Sequence, residues 1–326
     1  MPINRRSFLT TTATTLGLLA AIPLARLAHA QPSSVTVIDR DWVDTRRGRQ
    51  VPVRLYLPSS ATPERPAPLV VFSHGLGGSR FGYRYLGGHW AGEGFASLHV
   101  QHVGSDNSLW SADGRIALLM RMHAAAQEAE AIARVRDLRF AIDQLLGSDV
   151  GRQINGEQII AAGHSYGANT TLLAAGARVD RPGLPLDLQE PRVRAGIVIF
   201  APPFYGESSP QQILAAVGVP SLHITGTEDV IRIPGYYSDA SDRVAVFNGV
   251  GHVRKTLAVF TGGSHSMFTD RTSVGGMQLN AQVKSATQEL TTAFLRSVVL
   301  GDDSSLQAWP QRHGAILSRF VGPVQG

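Results

Sequence analysis

Two stretches of the chain, residues 35–43 and 51–57, alternate apolar and polar side chains, with the polar run Asp44-Thr45-Arg46-Arg47-Gly48-Arg49 between them. A period of two interrupted by a turn predicts an antiparallel hairpin with one half-buried face. Beyond the hairpin the pattern changes. Residues 69–73, 95–100, 159–162, 195–200 and 257–260 are mostly apolar runs, which is how strands read when helices cover both faces of a parallel sheet, and residues 219–225 read as another strand. Helical patterns fall between and after them, over 83–93, 113–146, 211–217 and 283–300. In the longest, Ile132, Val135, Leu138, Ile142, Leu145 and Leu146 recur at spacings of three and four and build one apolar stripe, with Asp137 and Arg139 assigned to its solvated side. Residues 58–68, 101–112 and 180–194 read as loops, and Asn155-Gly156 as a turn. A hairpin followed by six strands alternating with helices predicts an α/β fold: a mostly parallel, eight-stranded sheet with helices on both faces. The short connection between residues 200 and 219 leaves no room for a large lid domain, so the expected site is an open cleft.

One apolar run ends in chemistry. Residues 159–162 lead into Gly163-His164-Ser165-Tyr166-Gly167, and a small-residue, helix-compatible stretch follows at once. Strand, sharp turn and helix form the setting in which Gly-x-Ser-x-Gly presents its serine at the apex of a nucleophile elbow. The pentapeptide is too short to be selective alone, and its context carries the reading. A serine nucleophile needs a base, and the base needs an acid to hold its tautomer. Of the eleven histidines, His265 directly follows a strand in Gly262-Gly263-Ser264-His265, with Phe268 to anchor its loop. His252, in another Gly-rich loop, competes with it; His223 falls mid-strand, and His164 is expected to point away from the rim. Asp229, at the end of a strand, is the expected acid; Glu228 is one residue out of phase, and Asp239 and Asp242 read as solvated. Ser165, Asp229 and His265 all fall at strand carboxyl ends, the rim where such sheets bind ligands.

The loop His74-Gly75-Leu76-Gly77 follows an earlier strand and meets the remaining requirement. The backbone N–H groups of Leu76 and Tyr166 are the expected oxyanion hole, and His74 is expected to brace the loop. Trp110, Phe204, Tyr205, Tyr236 and Tyr237 lie on loops able to wall a pocket, and Met267, beside the expected base, joins them as a pocket candidate.

The segments Val71-Phe72-Ser73-His74-Gly75-Leu76-Gly77, Gly163-His164-Ser165-Tyr166-Gly167-Ala168 and Gly262-Gly263-Ser264-His265-Ser266-Met267-Phe268 resemble the secreted platelet-activating-factor acetylhydrolase and dienelactone-hydrolase-like branch of the α/β-hydrolase superfamily. The resemblance implies an α/β-hydrolase fold, with Ser165 as nucleophile, His265 as base and Leu76 and Tyr166 as oxyanion donors. The chain departs from that pattern twice. The acetylhydrolases carry their acid soon after the strand that follows the elbow, where this chain has Phe200-Ala201-Pro202-Pro203, so the acid is expected at the later position, Asp229. Dienelactone hydrolases use a cysteine, and this chain has none. The expected activity is cleavage of a small-molecule or polymeric carboxylic ester through an acyl-enzyme, without metal or cofactor. An amidase or peptidase of the same fold is the alternative within this chemistry, and a non-catalytic hydrolase-fold binding protein the reading from another class.

The N-terminus reads as an address. Asn4-Arg5-Arg6-Ser7-Phe8-Leu9 precedes an apolar stretch over 13–24, and Ala28-His29-Ala30 offers a small-x-small cleavage pattern. Paired arginines before Ser-Phe-Leu resemble the twin-arginine export signal. The expected organisation is a signal peptide over 1–30, a partner of the twin-arginine export machinery, and a single α/β-hydrolase domain over 31–326, periplasmic or secreted after cleavage near Ala30. The apolar stretch is shorter than the roughly 20 residues that span a bilayer. Formal charge is +5, and losing Arg5, Arg6 and Arg26 leaves 5 − 3 = +2, because residues 1–30 hold no acid. That excess is too small to argue for nucleic acid. With 43% hydrophobic and 17% charged residues the composition is that of an ordinary globular protein. The absence of cysteine excludes disulfides, thiolate metal sites and lipoprotein acylation.

Overall fold

The computed structural model describes residues 34–111, 114–181, 187–207 and 209–323. The expected signal segment, with Arg5, Arg6 and the cleavage pattern at Ala30, lies outside the described residues. The hairpin forms as β1 (Val35–Asp44) and β2 (Arg49–Pro58), paired antiparallel from Val35 opposite Pro58 to Asp44 opposite Arg49. There follow β3 (Ala67–Ser73), α1 (Arg84–Gly92), β4 (Ala96–Val100), α2 (Arg115–Ala125), α3 (Glu128–Leu146), β5 (Ile154–His164) and α4 (Tyr166–Ala174). Then come β6 (Val193–Ile199), α5 (Pro210–Ala215), β7 (Ser221–Glu228), the small hairpin β8 (Ile231–Ile233) and β9 (Tyr236–Ser238), and α6 (Ala240–Gly249). The chain closes with β10 (Lys255–Ser264), α7 (Met277–Leu300), α8 (Ser304–His313) and β11 (Leu317–Val321).

The main sheet has the order β1-β2-β4-β3-β5-β6-β7-β10-β11. Pairing is parallel from β4 through β10 and antiparallel at both ends. The continuous apolar runs are explained by two cores. In β3, Leu69 and Val71 enter the core on one face with Val135, Leu138 and Ile142 of α3, while Val70 and Phe72 enter the other with Trp90 of α1 and Val283 and Leu290 of α7. Successive strand residues face opposite sides, so a strand buried on both must be apolar throughout.

Four differences from the sequence reading have physical causes. A ninth strand, β11, pairs antiparallel with β10, and Phe320 reaches the ring of Trp309 at 5.5 Å. It is a five-residue segment whose alternation is too short to stand out. The helical stretch over 113–146 is two helices, because Gln127 turns extended (φ −71°, ψ 156°) and its side chain caps back onto His123 O; no Gly or Pro marks the break. Asn155-Gly156 lies within β5, whose register on β3 jumps from Asn155 opposite Pro68 to Ile159 opposite Leu69. Asp137 is not solvated: it is fully buried and accepts hydrogen bonds from Arg49 Nε (2.9 Å) and His102 Nδ1 (3.2 Å), with Arg47 Nη2 at 2.8 Å. Its face of α3 meets the β1–β2 turn rather than water.

Candidate active site

The elbow joins β5 to α4. Ser165 has φ 56° and ψ −122°, a conformation that L-residues adopt only under constraint. Its N–H donates to Ile199 O of β6 at 2.9 Å, which ties the apex to the neighbouring strand. The flanking glycines are forced by contact. A Cβ on Gly163 would lie 2.1 Å from Gly167 O, and one on Gly167 would lie 1.9 Å from Ser73 O. Strand, helix and β3 thus meet at a separation that only glycine permits.

Ser165, His265 and Asp229 come together. His265 Nε2 lies 2.9 Å from Ser165 Oγ, and His265 Nδ1 lies 2.8 Å from Asp229 Oδ1. A carboxylate only accepts, so Nδ1 carries the proton and Nε2 is free to accept from the serine hydroxyl. His265 opens a short 3₁₀ turn whose Met267 and Phe268 are fully buried and pin it to the core. Asp229 is fully buried, and its Oδ2 also accepts from Thr225 Oγ1 (3.1 Å) and Arg243 Nε (2.8 Å). Glu228 is exposed, Asp239 and Asp242 form the capping box of α6, and His252 lies before β10, at the end of that strand opposite His265.

His164 reaches under His265 rather than away from the site. Its Nδ1 accepts from Tyr83 OH (2.8 Å) and its Nε2–H donates to the main-chain carbonyl of His265 (3.0 Å). Burial holds His164 well below the usual histidine range, with the neighbouring His265 adding to the effect.

The loop after β3 is braced through its carbonyls. His74 Nδ1–H donates to Gly75 O at 2.7 Å, and His74 Nε2 accepts the N–H of His102 at 3.1 Å. The ring is therefore neutral in one fixed tautomer, and burial, with Arg134 and His102 nearby, pushes its pKa far down. Gly75 O belongs to the same planar peptide as the N–H of Leu76, so holding the carbonyl aims the N–H the opposite way. Gly77 N–H donates to Ser105 O (2.9 Å) and Gly77 O accepts from the indole of Trp110 (2.7 Å). No acceptor among the described residues takes the N–H of Leu76 or of Tyr166. Leu76, Ser165 and Tyr166 all line one cavity of about 370 Å³, and Tyr166 opens α4, where the helix dipole favours negative charge.

Leu173, Ala177, Val179 and Leu188 give that cavity an apolar wall, completed by α2–α3 residues Met122, Ala131 and Ile132 and hairpin residues Ile231 and Ile233. Phe204, Tyr205 and Tyr236 line it as expected. Three aromatic or sulfur candidates do not. Trp110 is 55% exposed and spends its indole N–H on Gly77; Tyr237 points to solvent; Met267 is turned into the core. Two charged neighbours of the site escaped the sequence reading, Arg134 beneath the loop and Arg243 behind Asp229. Among the described residues no group of His, Asp and Glu has the arrangement of a metal site, and no helix is long and apolar enough to cross a membrane.

The sheet order, the crossovers and the strand–Ser165–helix turn define the class: this is an α/β-hydrolase fold. Comparison narrows the class, since residues 50–113, from β2 through the turn after β4, match the family of platelet-activating factor acetylhydrolase, isoform II. The chain is similar to that branch of the superfamily over the segment that carries the His74–Gly78 loop, and the similarity supports a hydrolase of the serine-esterase type. No curated protein matches the chain.

Proposed function

We propose that the protein is an exported serine hydrolase of carboxylic esters. The observation that carries this reading is the hydrogen-bonded series Ser165–His265–Asp229, whose serine opens onto a cavity also lined by Leu76 and Tyr166, residues whose N–H groups have no acceptor among the described residues. Ser165 Oγ attacks the ester carbonyl while His265 Nε2 takes its proton, and the N–H groups of Leu76 and Tyr166 receive the oxyanion. Collapse breaks the ester bond, and His265 returns the proton to the departing alcohol. Water then attacks the acyl-enzyme, gives a proton to His265, and the acid leaves as Ser165 regains its hydrogen. Asp229 holds the imidazole tautomer and balances the imidazolium. The cavity volume is in the range of small-molecule sites, and its apolar wall suits the acyl side of the substrate. An ion-paired cluster interrupts that wall, Arg181 with Glu128 at 2.7 Å and Glu207 at 2.5 Å.

The test is labelling of the mature protein by a fluorophosphonate, with p-nitrophenyl esters of increasing acyl length as substrates. Ser165→Ala is expected to abolish labelling and lower kcat on the order of 10⁵–10⁶-fold. An unlabelled wild type, or a Ser165→Ala variant as active as its parent, ends the proposal. Export rests on Arg5-Arg6 and Ala28-His29-Ala30. Replacing both arginines with lysine is expected to leave precursor in the cytoplasm, as followed by fractionation; unimpaired export would remove the twin-arginine assignment.

A further inference from the structure

Resting on the ester-hydrolase reading above, we propose that Arg134 is the positioning residue of the oxyanion hole, a single buried guanidinium that locks the two backbone donors to each other. Arg134 sits on α3 and is fully buried. Its Nη2 donates to the carbonyl of His74, its Nε to Thr170 Oγ1 (3.0 Å) and its Nη1 to Ser105 Oγ (2.8 Å). The guanidinium carbon lies over the Tyr166 ring, 4.5 Å from its centroid.

Each contact belongs to a different part of the oxyanion hole. His74 is two residues before Leu76, and its carbonyl is the last acceptor before the peptide that carries the Leu76 N–H. Thr170 and Tyr166 share the first turns of α4, where Thr170 Oγ1 passes a hydrogen bond on to Tyr166 O (3.2 Å). Ser105 has its own carbonyl on Gly77 N–H (2.9 Å), so the loop after β4 clamps the far side of the donor loop. One planar fork therefore touches both donor segments and the loop that backs them. No other side chain among the described residues bonds to both His74 and α4.

The cost of this arrangement argues that it acts on geometry. No carboxylate accepts a hydrogen bond from Arg134; its direct partners are neutral oxygens and a ring face, while Glu130, reached through the Ser105 hydroxyl (2.8 Å), and Asp137 act on its charge without touching it. Burial pushes its pKa down to about 10, which still leaves a cation at neutral pH. A buried cation with no carboxylate in direct contact is expensive, and an apolar side chain would fill the same space without that penalty. What the guanidinium alone supplies is a set of donors at fixed angles in one plane. An oxyanion hole needs this kind of rigidity, because donors that need not reorganise as charge develops stabilise the transition state most.

The experiment compares p-nitrophenyl esters with their thionoester counterparts, in which C=S replaces C=O and fits an oxyanion hole poorly. Wild type, Arg134→Lys and Arg134→Met are measured with both. The expected result is a kcat lower by roughly 10–100-fold in each variant, with KM within about twofold, and an ester-to-thionoester rate ratio lower by about 10-fold or more. Lysine keeps the charge without the fork, so it is expected to behave like methionine. A ratio equal to that of wild type, with kcat reduced only in step with the folded fraction, overturns the proposal, as does full rescue by lysine. If neither Arg134 variant folds, Thr170→Val decides: a lowered ratio supports the clamp and an unchanged ratio overturns it. Failure of the ester-hydrolase reading itself is visible beforehand, as a wild-type protein that turns over neither substrate, and it removes this proposal as well.

Discussion

Two buried arginines flank the candidate site, and they are solvated by the protein in opposite ways. Arg243 of α6 is 2% exposed and sends Nε and Nη2 to the two oxygens of Asp229, at 2.8 and 3.4 Å. Arg134 of α3 is 0% exposed and bonds to a carbonyl and two hydroxyls. The first cation is neutralised where it stands. It offsets the cost of burying Asp229, and it leaves that carboxylate shared between a guanidinium and the imidazole of His265. The second is held by dipoles, so its charge is not cancelled by a contacting anion and its role is to order the groups around it. The same residue type thus serves on one side as a counter-ion and on the other as a fastener.

Removing each cation separates the two roles. Arg243→Met leaves Asp229 buried with Thr225 and His265 as its partners, and unpairing a buried ion of this kind costs about 3–5 kcal/mol. The expected outcome is a fall of that size in urea-denaturation stability, together with reduced kcat. Arg134→Met removes a cation that had no paired anion, so its stability loss is expected to stay below about 2 kcal/mol, with the orphaned His74 carbonyl as its main source. Equal losses in the two variants would break the comparison.

A graded effect, spread over several groups, comes from acid. His74 and His102 lie beside Arg134, and both are held far below 6.5 by burial and by the nearby cation. His164 shares that direction, and burial pushes His99 and His223 down to about 3. Below pH 6.5 the unfolded chain binds protons that the native state refuses. Stability from these groups is therefore complete above about pH 6.5 and drains as pH falls toward their folded values, by up to about 1.4 kcal/mol per pH unit for each histidine. Thermal midpoints recorded from pH 8 to pH 5 are expected to be flat at first and then to drop steeply. A midpoint unchanged at pH 5 would mean that these histidines are not neutral in the native state. The Arg134 side, crowded with neutral imidazoles, is where that drop is sharpened.

Much of this architecture was legible in the chain because it is written in local patterns. The period-two hairpin, the doubly buried strands and the glycines around Ser165 each need only neighbours in sequence. Asp229 and His265 were legible through their place at strand ends, without any view of the 2.8 Å contact between them. The polar interior was not legible. Asp137 finds Arg49 across 88 positions, and Arg134 finds His74 across 60. Apolar periodicity reports which face of a helix is covered, not which polar residue on that face has a partner. A usable signal existed, since Arg134 stands one helical turn before Leu138 on the apolar stripe of α3, and Arg243 shares the buried face of α6 with Val246 and Phe247. A lone arginine within an apolar stripe marks a buried cation and the polar network that must receive it. The pocket candidates Trp110 and Met267 misled because proximity in sequence does not say which way a loop side chain turns.

The bond from His164 to the main-chain carbonyl of His265 carries one more implication. His164 is the residue immediately before Ser165, so the part that presents the serine also tethers His265. A displacement of the elbow is transmitted directly to the histidine backbone, and the two side chains drift together rather than apart. Alignment between them is a property of one short mechanical linkage, and it tolerates movement in the loops around it.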